Sequence, residues 1–242
     1  MFSNFFKIIA TISLLSFVIY TCQEEDDALR SYETKVSDHS NEIQGKWERI
    51  NPENPDNPFD SVGINYTAYL ESLWEIDSLF TSVQSIITEV NFITAYPNSI
   101  ALNNISSTTD LLSIQNTLDD PDEALQDVLD QSGLSSGAKN SLWNLINYTT
   151  LNESADYQVI YSYIVNFENS VILDLTFTGN EKRTILSFSS FIRHGLHLKK
   201  RRDDKDWDIS VASKTAAIKG ALLSPDAATY WALILGLSDN YL

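Results

Sequence analysis

From residue 60 onward, apolar residues recur with the period of an α-helix rather than that of a strand. Tyr66, Tyr69, Leu70, Leu73 and Trp74 fall at i, i+3, i+4 spacing and predict a helix through Leu79, with Asp60 or Ser61 as its cap. Phe80 carries the stripe into a second stretch, Val83, Ile86, Ile87, Val90 and Ile93, which must stop before Pro97. Ser107 to Asp110 opens a third, with Leu111, Leu112, Ile114 and Leu118. Asp120-Pro121 starts a fourth, an acidic cap followed by proline in the first helical position, closing near Gly133. Ser135 to Thr150 and Ser154 to Val171 repeat the pattern, and Glu181 to Leu198 turns Ile185, Leu186, Phe188, Phe191 and Ile192 inward. Between them, Leu173 to Phe177 alternates and fits a short strand, a helix end or a loop. Ala212, Ala216, Gly220 and Ser224 recur every four residues as one smooth ridge, ended by Pro225. The apolar run Ala227 to Leu237 holds 11 residues, against about 20 for a membrane-spanning helix. It therefore predicts a tightly packed terminal hairpin. The expected fold is all-α, a bundle of seven or eight helices over residues 51–242.

The chain ahead of this domain is different. NPENPDNPF, residues 51–59, contains three Asn-Pro steps and reads as an extended or turn-rich entry segment. Residues 23–42 are polar, charged and aperiodic, the composition of a flexible, disordered tether. The first residues carry one basic side chain, Lys7, and then a 13-residue apolar run, Ile8 to Tyr20. That is the length of a signal-peptide core.

This run ends at Thr21-Cys22, and Cys22 is the sole cysteine of the chain. The arrangement resembles a bacterial lipobox, with Ile19 in place and Thr21 where Gly, Ala or Ser is usual. The resemblance implies residues 1–21 as a signal peptide and Cys22 as an acylated, palmitate-type anchor. It also implies residues 22–50 as lipidated cysteine plus acidic tether. Gln23, Glu24, Glu25, Asp26 and Asp27 directly follow, and they are similar to the export signal of Bacteroidota surface lipoproteins. The implied location is the outer membrane, facing the cell surface, with a periplasmic orientation as the alternative. Two further segments, Asn57 to Gly63 (NPFDSVG) and Asn180 to Ser190 (NEKRTILSFSS), resemble the entry and later motifs of an uncharacterised Bacteroidota lipoprotein family. That family's proteins join an export signal and acidic tether to an all-helical domain. No activity comes with the resemblance.

Charge narrows the choice of partner. With 33 acidic against 16 basic residues, the formal charge is −17, which disfavours nucleic acid as a partner. One cysteine excludes intrachain disulfides and cysteine zinc sites. His194 and His197 share a helical face, a spacing metals can use, yet no third ligand is flagged. They are therefore weak metal candidates. Half of the basic residues lie in two short segments. Arg193, Lys199, Lys200, Arg201 and Arg202 are a candidate anion-binding patch, although the aspartates that follow would neutralise it. The sequence holds no P-loop, GxGxxG, GxSxG or EF-hand pattern, so no catalytic residue and no cofactor is assigned.

The expected function is that of a lipid-anchored, non-enzymatic binding module, meeting an extracellular protein or glycan. Two alternatives stand beside it. One is an extracellular hydrolase using carboxylates or the histidine pair. The other is a secreted, membrane-active toxin or signalling protein using the small-residue ridge.

Overall fold

The computed structural model describes residues 51–75, 80–94, 108–201 and 207–242. The expected anchor Cys22, the acidic residues Gln23 to Asp27 and the tether lie outside this set, as does Arg202. Among the described residues there are nine helices and no strand. They are α1 (Ser61–Glu75), α2 (Val83–Thr94), α3 (Thr108–Asp119), α4 (Pro121–Gln131) and α5 (Ser136–Leu151), then α6 (Tyr157–Leu173), α7 (Gly179–Arg201), α8 (Val211–Leu223) and α9 (Pro225–Tyr241).

The all-α expectation holds, with nine helices among the described residues where seven or eight were expected. The terminal stretch divides at Ser224, whose extended backbone ends α8 and whose hydroxyl accepts the Ala227 N–H of α9. Caps set the other boundaries. Asp120 accepts the Glu123 N–H at 3.1 Å, as its place before Pro121 predicts. Asp156 rather than Ser154 caps α6, taking the Gln158 N–H at 2.9 Å. Residues 173–177 do not form a strand. Leu173 ends α6, and Asp174 folds back on the Thr176 N–H and hydroxyl, both at 2.7 Å. Thr178 and Glu181 exchange hydrogen bonds with each other's backbone N–H, a capping box that starts α7.

Two helices form the centre. In α7 every residue from Thr184 to Leu198 is buried, and it packs on α1, α5, α6, α8 and α9. This departs from a one-sided amphipathic helix, because neighbours cover it all round. In α9 every residue from Ala227 to Ser238 is buried. The ridge on α8 does what small residues permit. A Cβ on Gly220 would stand 2.2 Å from the Ala227 carbonyl oxygen, so only glycine allows α8 and α9 to meet there. Tyr66 of α1 packs edge-on against Phe191 of α7, with centroids 4.8 Å apart. Burying each such ring contributes about 1.5–3 kcal/mol. No described helix is long and apolar enough to cross a membrane.

Candidate functional site

The entry segment is bolted onto α6 and α7 by a buried polar cluster. Asn54, Asn57 and Asp60 point inward at intervals of three, while Pro55 and Pro58 between them stay exposed. Asn54 and Asn57 use their side-chain oxygens to accept the Asp56 and Phe59 N–H groups, which shapes the turns that the Asn-Pro steps predict. Their amides are then left to donate inward. Asn54 Nδ2 reaches Glu168 Oε2 at 2.6 Å, and Asn57 Nδ2 reaches Glu168 Oε1 at 2.9 Å.

Glu168 of α6 is fully buried, and its second oxygen also receives Ser189 Oγ at 2.8 Å and Arg193 Nη2 at 3.2 Å. Arg193 is fully buried as well and bonds Asp60 with the same Nη2. Asp60 Oδ2 takes the Asn54 N–H at 2.9 Å, and Oδ1 takes Ser190 Oγ at 3.1 Å. His194 Nε2 lies 3.3 Å from the same Oδ1. Burial acts against the ionised form of Asp60, but the His194 hydrogen bond and the Arg193 charge outweigh it and hold the carboxyl at about 2. Two carboxylates against one guanidinium leave the cluster anionic when His194 is neutral.

Asp60 therefore does not cap α1, as its position suggested, because its carboxylate is turned into the cluster. The first-turn N–H of Gly63 finds its acceptor on another helix, Ser190 Oγ of α7, at 3.0 Å. That approach requires glycine. A Cβ at residue 63 would stand 2.4 Å from His194 Cδ2 and 2.5 Å from the Ser190 carbonyl oxygen. The NPFDSVG and NEKRTILSFSS segments are thus packed together, residue against residue, around one ion cluster.

His194 and His197, the weak metal candidates, are both buried. Among the described residues no group of three or more His, Cys, Asp or Glu is placed to hold a metal ion. Ser190 bonds Asp60 rather than His194, so serine, histidine and aspartate are not linked in the order a nucleophile–base relay needs. His194 forms the floor of a cavity of about 170 Å³, walled by Glu53, by Thr67 and Glu71 of α1, and by His197 and Arg201 of α7. A second, open groove of about 670 Å³ lies along α3, α4 and α8. Two of its carboxylates are engaged locally, Asp119 by Gln115 and Asp120 as the α4 cap.

The structure places the members of the candidate anion-binding patch differently from one another. Arg193 belongs to the core and cannot share a surface with the others. Lys199 bonds Glu153 and also Asp208, the latter at 2.7 Å, and Arg201 bonds Glu71. Lys200 is half-buried. The earlier basic pair serves helix ends: Lys182 Nζ donates to the Ile172 carbonyl at 2.6 Å and Arg183 to that of Leu222 at 3.1 Å. Glu168 was not singled out from sequence, and Asn54 and Asn57 were read as turn residues rather than as its buried donors. The signal for Glu168 was its register, one turn beyond Ile164 on the buried stripe of α6.

No family model matches the chain, and no curated protein or solved structure is significantly similar to it.

Proposed function

We propose that this chain is a lipid-anchored protein of a bacterial outer membrane, facing the cell surface or the periplasm, whose helical domain binds a partner without transforming it. The partner class is an extracellular protein or glycan. The observation that carries the reading is the mutual engagement of Asp60, Glu168 and Arg193. These groups hold the first residues of the domain to its central helices. Force arriving along a tether at Asn51 would therefore meet a buried, multiply bonded clasp rather than a helix end able to peel away. Cys22 behind an apolar run, followed by Gln23 to Asp27, supplies the anchor and stalk of this reading.

The test is metabolic labelling with a clickable fatty acid, followed by protease treatment of intact cells. Wild type is expected to carry lipid and be shaved from the surface, and Cys22→Ala to carry none. Labelled but protected protein would place the domain in the periplasm. Unlabelled wild type would refute the anchor.

A further inference from the structure

We infer that Tyr148 and Tyr163 form a site of oxidative modification, where a peroxide-driven one-electron oxidant joins the two rings as dityrosine. The inference is independent of the binding reading and rests on how the two rings lie. Their centroids stand 3.4 Å apart, with the planes 7° from parallel. Aromatic pairs in proteins ordinarily keep their centroids about 4.5–7 Å apart, offset or edge-on. At 3.4 Å the thickness of the rings takes up the whole separation, so they lie face to face with carbon against carbon. The scaffold holds them there. Tyr148 is in the last turn of α5 and Tyr163 in the second turn of α6. Both helices pack on α7. The connection between them is fixed by the Asn152 N–H on the Tyr148 carbonyl at 3.0 Å and the Ala155 N–H on the Asn152 carbonyl at 2.9 Å.

Both side chains are half-buried, so solvent and a small oxidant reach them. Each phenol gives up one electron and its hydroxyl proton and becomes a phenoxyl radical, whose unpaired electron is shared with the ring carbons ortho to oxygen. An ortho carbon of one ring bonds to an ortho carbon of the other. Each ring becomes aromatic again as its ortho hydrogen leaves carbon and a proton returns to oxygen. In sum two hydrogens leave the protein, and one molecule of hydrogen peroxide is reduced to two of water. A second tyrosine pair supplies the contrast. Tyr157 and Tyr161 stand 6.0 Å apart, tilted by 47°. Tyr157 is fully buried, and both hydroxyls are committed to backbone carbonyls, those of Arg193 and Glu53. That pair has neither the contact nor the free path for its protons. With one cysteine the chain has no intrachain disulfide, so the Tyr148–Tyr163 link is a covalent staple between α5 and α6 that oxidation alone supplies.

The experiment treats the purified full chain, at low concentration, with hydrogen peroxide and a haem peroxidase. It reads blue dityrosine fluorescence, intact mass and the peptides of a digest. The expected product is a monomer lighter by two hydrogens, with one linked peptide pair joining residues 148 and 163. Tyr148→Phe and Tyr163→Phe remove one hydroxyl and keep the ring, and each should abolish the link. Circular dichroism checks that both variants stay folded. Tyr161→Phe should leave the yield in place. In urea the coupling of Tyr148 to Tyr163 should fall roughly tenfold or more, because the contact that the fold provides is lost. Absence of the linked peptide would overturn the site. So would links spread evenly over other tyrosines, product formed only between chains, or equal yields from the folded and the unfolded chain.

Discussion

Glu168→Gln is the sharpest probe of the clasp. The substitution keeps volume and shape but replaces one carboxylate oxygen by an NH₂ group. In the native protein all partners of Glu168 are donors: the amides of Asn54 and Asn57, Ser189 Oγ, and Arg193 through Nε at 3.4 Å and Nη2 at 3.2 Å. Whichever way the glutamine is turned, its amide nitrogen faces another donor. Arg193 meanwhile keeps only Asp60 as a charged partner. Removing one member of a buried ion cluster costs about 3–5 kcal/mol. Retention of Asp60 puts the expected loss at the lower end, about 3 kcal/mol. For a domain of this size that lowers Tm by about 6–12 °C. Calorimetry supplies the Tm, and urea titration should show a lower midpoint at unchanged slope. A shift below about 2 °C would mean that the cluster is open to water or that Glu168 is not its acceptor, and the argument for the clasp would fail.

Acid should loosen the same cluster. The folded Asp60 carboxyl, at about 2, lies below its ordinary value of 3.8. Its contribution is thus complete above about pH 4 and lost as pH falls toward 2. Glu181, stabilised as a carboxylate first by the Ser135 side chain and then by the Thr178 and Ser135 backbone N–H groups, is also held at about 2 and adds to the same window. Circular dichroism between pH 5 and 1.5 should show stability falling there, and Asp60→Asn should flatten the dependence. Gly63→Ala forces a methyl group against His194 and the Ser190 carbonyl and should cost about 2–3 kcal/mol, read by urea titration. A neutral effect would mean that α1 and α7 can separate freely at that point.

The helices were legible because local rules decide them. The period of Ile160, Ile164 and Val171, the Asp120-Pro121 start and the four-residue spacing of Ala212, Ala216 and Gly220 each point to a structure formed within one or two turns. The site was not legible in the same way. Asn54, Asn57 and Asp60 meet partners more than a hundred residues away, and their nearest neighbours in sequence reveal only turns and a potential cap. Polar residues on α7 read as an outer face, although Ser189, Ser190 and Arg193 lie inside. Their burial depends on which helices surround α7, and periodicity along one helix does not carry that information. The burial of Arg193 was hidden for a related reason. Charge counted along the chain made a patch, whereas in space Arg193 is separated from Lys199 and Arg201 by burial.

The position of α9 has a consequence for biogenesis. The last of the described helices is also among the most enclosed, packed against α1, α2, α3, α7 and α8. A ribosome that has made everything through Ser224 has made a chain whose middle is missing, with Gly220 and its neighbours on α8 facing nothing. The clasp does not close early either, since Asp60 waits for Arg193. Completion of the core in this topology therefore needs α9, the last of the described helices to be synthesised. A chain that stays loose for that long remains threadable. On the proposed export route, a late-arriving centre would keep it competent to pass a translocation channel and let it fold on the far side.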